Sequence, residues 1–178
     1  MTSLRTERLE LRGWRDDDLD AVVAMNADPE VMRYIMDGSV LDRRQSADKL
    51  RKWRRDWEQR GFGLFAVDLR STGEFVGWAG LAVPEFLPEV LPAVEIGWRF
   101  VRGAWGHGYA TEAARAALRF GFDEVGLDRV VSIRHVDNER SARVMEKLGL
   151  GYEFSTIVPS TEQPVAVHAT GQPYTSNS

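Results

Sequence analysis

Between Ala93 and Phe122 the chain reads AVEIGWRFVRGAWGHGYATEAARAALRFGF. Its first eight residues have strand character, and from Tyr109 onward it is an alanine-rich helix former. The joint holds three glycines in six positions, Gly103, Gly106 and Gly108. Glycine loses more conformational freedom on ordering than any other residue, so a cluster here needs a reason. A strand at 93–100, a loop and a helix at 109–122 make a βα unit, which commits the fold to an α/β sheet with a crossover helix. The glycines have two readings. They form a tight turn that binds nothing, or they let a ligand approach the uncapped N–H groups that open the helix, as a phosphate does. A dinucleotide fingerprint needs a third glycine where Thr111 stands, and a P-loop needs a lysine that is absent.

The rest of the chain alternates in the same way. RLELRGW has period-two leucines, and the aspartates of DDDLDAVVAMNAD suit a helix N-terminus. Pro29 opens a further helical turn, and RQSADKLRKWRRDWEQR carries Leu50, Trp53 and Trp57 on one stripe. These three are expected in the core, with Trp78. FGLFAVDLR and FVGWAGLAV flank a glycine-containing turn and read as a hairpin. A proline-flanked loop spans 84–92. After the 109–122 helix come the strand RVVSIRHV, the helix NERSARVMEKLG closed by Gly149, and two strands, YEFSTIVP and PVAVHAT. One domain is expected over 4–170, with 171–178 as a loose tail.

Composition excludes more than it selects. With no cysteine, a thiolate nucleophile and thiolate metal sites are ruled out; three histidines argue against a metal centre, and none is expected. A net charge of -4 gives no reason to expect nucleic acid. No apolar run reaches the roughly 18 residues of a membrane helix, and the charged N-terminus is no signal peptide. A cytoplasmic protein without membrane or nucleic-acid partners is the expectation.

The segment EIGWRFVRGAWGHGYATEAA, followed by NERSARVMEKLG, resembles the GNAT superfamily of N-acetyltransferases. The N-terminal motifs TERLELR and DPEVMRY resemble more narrowly its RimJ/RimL branch, which acetylates ribosomal-protein N-termini. The resemblance implies a mixed, mostly antiparallel central sheet with helices on both faces, and acetyl-CoA as cosubstrate. It places the pyrophosphate on the loop Gly103, Ala104, Trp105, Gly106, His107 and Gly108, and on the helix start Tyr109, Ala110 and Thr111. The family has glutamine or arginine where Trp105 stands; Arg102 is nearby and carries charge. The main chain of Trp98, Arg99 and Phe100 is implied to pair with the pantetheine arm like an added strand. Asn138, equally well read as a plain N-cap, is implied to meet the pantetheine amides, and Ser141 the thioester sulfur. Many members carry a tyrosine four positions later as general acid; this chain has Met145, and a thioether cannot donate a proton.

Acetyl transfer to an amine requires a neutral nucleophile, hence a base. Glu95, on the strand before the loop and amid apolar neighbours, is the candidate; its plain alternative is a surface charge. Glu112 is read as serving the helix N-terminus. Main-chain N–H groups near Gly97 and Trp98 are the expected oxyanion donors, and loops 34–46 and 84–92 are expected to shape the acceptor site. The function that follows is acetyl transfer from acetyl-CoA to a primary amine, a protein N-terminus or a small molecule, by a monomer or homodimer. The alternative is an acyl-CoA-binding module without turnover.

Overall fold

A computed structural model describes residues 2–170. The expected loose tail at 171–178 lies outside the described residues. Eight strands form one sheet: β1 (Leu4–Arg5), β2 (Leu9–Arg12), β3 (Leu64–Leu69), β4 (Phe75–Ala82), β5 (Val94–Phe100), β6 (Val130–His135), β7 (Gly151–Ile157) and β8 (Pro164–Ala169). Their order is β1-β2-β3-β4-β5-β6-β8-β7, and only β5 and β6 run parallel. That pair is joined by α4 (Tyr109–Asp123), the crossover helix that parallel neighbours require.

α4 lies on one face of the sheet, where Ala113, Ala114, Ala117 and Leu118 are fully buried against Ile96 and Phe100. The small alanine side chains bring its axis close to the strands. The opposite face is covered by α1 (Leu19–Asn26), the short α2 (Pro29–Met32) and α3 (Arg43–Arg60). The expected stripe of α3 holds: Leu50, Trp53 and Trp57 are buried, and Trp53 stacks on Trp14 at 4.8 Å. α3 starts at a capping box made by Asp42 and Gln45 and ends at Gly61 in the left-handed conformation.

Two sequence expectations change here. The aspartates before α1 do more than complement a helix dipole. They form a single 3₁₀ turn, Asp16–Asp18, and Asp18 is buried against Arg12. Arg12 donates from Nη1 and Nη2 to Asp18 at 2.9 and 2.8 Å, and from Nε and Nη2 to Asp68 at 2.5 and 3.0 Å. Burial alone would lower the guanidinium's pKa, but the two carboxylates outweigh it and push it up. The knot joins β2, β3 and the entrance to α1. Second, loop 84–92 is part of a core: Leu87 is fully buried among Val131, Val158 and Val165. One fully buried leucine anchors a segment that its prolines alone would mark as surface.

β5 and β6 pair only at Val94–Val130 and Glu95–Val131. Above that point the Ser132 hydroxyl donates to the Ile96 carbonyl at 2.9 Å, replacing a main-chain bond, and the strands part. α5 (Glu139–Lys147) follows β6 and stands beside the opening.

Candidate active site

A cleft of about 860 Å³ fills the fork between β5 and β6. Its walls come from the end of β5, the glycine loop, the first turn of α4, one face of α5, and α2 with the segment after it. Twelve of the fifteen residues singled out in the sequence line it; Glu95, Gly103 and His107 do not. His107 is turned outward: its carbonyl accepts from Arg8 at 2.9 Å and its ring stacks on Tyr109 at 5.3 Å.

The loop geometry follows from its glycines. Gly106 and Gly108 have φ of +82° and +80°, the left-handed region that side chains disfavour. Gly108 is the N-cap of α4 and has no side chain to offer, so no side chain caps that N-terminus. Those donors face the cleft with the positive end of the helix behind them. Glu112, one turn in, does not enter the site. It accepts from Thr6 and Arg8 at 2.6 and 2.7 Å and pins the β1–β2 hairpin to α4. Burial would raise its pKa, but these bonds hold it below its ordinary value.

Trp105 takes a structural part in the loop. Its Nε1 donates to the Phe100 carbonyl at 2.9 Å, closing the loop on β5, and the Arg140 guanidinium lies 4.3 Å from its ring centroid. The charge absent at position 105 is thus supplied from α5. Arg102 instead pairs with Asp28 at 3.3 Å. Arg140, Arg143 and Lys147 all line the cleft, and sequence reasoning missed them. Their signal was present: i, i+3 and i+7 spacing puts three cations on one helix face. Three cations beside an uncapped helix N-terminus fit the phosphates of coenzyme A, and the cleft's length along β5 fits an extended arm.

Main-chain alternation decides what β5 offers that arm. The Ile96 carbonyl faces β6 and the Phe100 carbonyl faces the loop, while Val101 donates to Val76 on β4. Even-numbered residues of β5 therefore turn their N–H and C=O toward the fork. Trp98 presents both groups where no strand pairs with them. Gly97 is directed at β4, where it sits opposite Gly80. Of the two expected oxyanion donors, only the Trp98 N–H points into the opening.

Asn138 is the N-cap of α5, accepting from the Ser141 N–H at 3.2 Å. The cap uses Oδ1 and leaves the amide –NH₂ to donate, so the two readings of Asn138 are compatible. Ser141 lines the cleft with a hydroxyl that has no partner among the described residues. Met145 is fully buried in the core, so position 145 does not face the cleft. Tyr34 does: it lines the cleft, with its ring packed on His135 at 5.3 Å. Loop 84–92 contributes nothing to the wall, and from 34–46 only Tyr34 and Ile35 do.

Glu95 sits at the base of the fork. Its carboxylate accepts from the Ile133 N–H across the gap, and burial pushes its pKa up to about 8. It keeps partial contact with solvent, so a water can reach it. Glu95, Gly97 and Arg99 share one face of β5, the face opposite α4. Arg99 donates to Asn26 Oδ1 at 2.7 Å and lies 5.1 Å from the Trp78 ring. Burial lowers its pKa to about 10, which leaves it charged at neutral pH.

Replacing Gly108 by valine puts a β-branched residue at positive φ and an isopropyl group at the helix entrance. The strain of about 1–2 kcal/mol falls on the fold with or without ligand, while the added bulk beside the open N–H groups is expected to weaken coenzyme A binding roughly tenfold. Gly103→Ala is the matched control, since a Cβ there meets nothing within 4 Å. Calorimetry on both variants checks this; equal affinities would remove the loop from the cofactor site.

Residues 8–151 match the family model described as an acetyltransferase (GNAT) domain. The chain is similar to the Bacillus subtilis protein YkkB, 36% identical over 94% of each chain. It is similar to a solved acetyltransferase from Agrobacterium tumefaciens, with 29% identity, a TM-score of 0.83, and coverage of 97% of this chain and 95% of that one. RimL, a ribosomal alpha-N-protein acetyltransferase solved with coenzyme A, shares the fold at a TM-score of 0.73 and 17% identity, over 95% of this chain and 97% of that one.

Proposed function

The chain belongs to the GNAT acetyltransferases, enzymes that move an acetyl group from acetyl-CoA to an amine, and from that premise we propose that it acetylates a primary amine by direct attack, with Glu95 as base and Ser141 at the leaving group. The observation that carries this reading is the fork: an unpaired strand edge at Trp98, with an uncapped helix and three cations at one end and a high-pKa carboxylate at its base. Acetyl-CoA supplies an activated thioester. The chain's own residues do the rest. Glu95 Oε takes the proton of the incoming ammonium through a water, because it lies three residues below Trp98, about 10 Å along the strand. The Trp98 N–H donates to the carbonyl oxygen that gains charge. The Ser141 hydroxyl donates to the departing sulfur, the part that Met145 cannot take.

Protein N-termini and small amines both fit this chemistry. The TERLELR and DPEVMRY motifs support the RimJ/RimL branch, and we place the enzyme in the cytoplasm, where acetyl-CoA is available. Among the described residues no helix is long and apolar enough to cross a membrane.

Thiol release from acetyl-CoA, measured across peptides, amino acids and polyamines, tests the proposal. Tight coenzyme A binding without release on any amine would favour a binding module instead. Ser141→Ala is expected to lower turnover about 10- to 100-fold with little change in the KM for acetyl-CoA, as for a hydrogen bond made chiefly in the transition state. Undiminished turnover would pass the role to water or Tyr34.

A further inference from the structure

Arg99 is a cation without a counter-charge. Its one hydrogen bond goes to a neutral amide, Asn26 Oδ1, at 2.7 Å. Its Nε is buried without a partner, and no carboxylate among the described residues pairs with it. The same chain pairs its buried arginine, Arg12, with two aspartates. A half-buried guanidinium with a buried, unpartnered Nε is costly, and such groups are ordinarily neutralised.

The surroundings make the charge worse rather than better. Lys49 on α3 is held below its ordinary pKa, first by burial and then by repulsion from Arg99 and Lys52. The guanidinium is nonetheless held firmly. Asn26 is fully buried, its Nδ2 donates to the buried Ser46 hydroxyl at 3.2 Å, and this fixes Oδ1 toward Arg99. Trp78, directly opposite on β4, lies beneath the guanidinium. Arg99 also lines the cleft, and with Nε buried the Nη donors that Asn26 does not use are the ones left for a bound molecule. A planar fork held this way suits a carboxylate, which can take two parallel bonds from it.

Its position separates Arg99 from the cosubstrate. The phosphate-compatible cations stand on α5, beside the loop and the α4 N-terminus. Arg99 projects from the other face of β5, toward α1 and α3, the face it shares with Glu95. That is the side on which the base collects the amine's proton.

We propose that the acceptor is a primary amine that also bears a carboxylate, an amino-acid-like molecule whose carboxylate docks on Arg99 while its amine faces the fork. This rests on the acetyl-transfer reading above and selects within it: it favours anionic and zwitterionic acceptors over polyamines. The net charge of -4 gives no hint of this, because the site's local charge is opposite in sign to that of the whole chain.

Thiol release from acetyl-CoA is measured for free amino acids and ω-amino acids of increasing length against their carboxamides, at equal concentrations of unprotonated amine, with spermidine in parallel. The free acids are expected to exceed the amides by roughly 10- to 100-fold in kcat/KM, chiefly through KM. Arg99→Gln should reduce that preference at least tenfold, and Arg99→Lys should restore part of it. Coenzyme A binding by calorimetry reports that the variants are folded, and the acid–amide comparison on the unaltered protein needs no variant. Equal rates for acids and amides, or a preference for spermidine, would overturn the role of Arg99 while leaving acetyl transfer intact. Absence of release with every amine would overturn both.

Discussion

Glu95→Gln is expected to reduce acetyl transfer by about 10²-fold or more near neutral pH while coenzyme A binding persists. Glutamine keeps the shape and can still accept from the Ile133 N–H, but it cannot take a proton. Because burial raises the carboxyl to about 8, the unaltered enzyme should gain rate as pH rises through that value. The variant should lack this limb and recover only as the amine itself loses its proton. The same residue makes a stability prediction. Between its ordinary value near 4.5 and its folded value near 8, the native state holds a proton that the unfolded chain has released. Stability must therefore fall as pH rises through that window. Glu95→Gln removes the loss, so the variant should melt higher than the parent at pH 9 and close to it at pH 4. A parental rate and pH profile in the variant would return Glu95 to a structural role.

Arg12→Met is expected to destabilise the protein by about 3–5 kcal/mol, read from urea or thermal unfolding. The cost lies less in the lost bonds than in what remains. Asp18 and Asp68 are buried and would be left with no cation between them. Replacing all three groups with apolar residues should be milder than replacing the arginine alone. A loss under about 1 kcal/mol would mean that water already solvates the knot. Because the knot fixes the entry to α1, and α1 carries Asn26, the variant should also loosen the guanidinium of Arg99.

The strand–loop–helix unit and the α3 stripe were legible because both are periodic and local. The glycine loop stood out by its clustered glycines and took its implied role from the resemblance, and the left-handed Gly106 and Gly108 explain why glycine stands there. What could not be read was pairing across the fold. Arg12 and Arg99 look alike in the sequence, yet one has two carboxylates and the other has none. The Asp68 carboxylate comes from 56 residues away, and nothing local announces it. The same holds for Leu87, whose burial depends on strands that follow it in the chain. The shared face of Glu95 and Arg99 was legible in principle, since period-two alternation requires it. Its meaning was not, because a sequence does not show which charges have been neutralised.

The fork at Glu95 and Val131 has an energetic meaning for the molecule as a whole. Among the described residues the main-chain pairing of β5 with β6 is limited to two residue pairs, helped by the Ser132 hydroxyl and the Glu95 carboxylate. A molecule that bonds to Trp98 on one side and to the start of α5 on the other is a rivet between two halves of a split sheet. Its binding free energy is added to the cohesion of the fold, growing with the logarithm of its concentration. If acetyl-CoA binds there as proposed, the seam between β5 and β6 becomes the part of the fold that its binding strengthens, and the melting temperature should rise with its concentration.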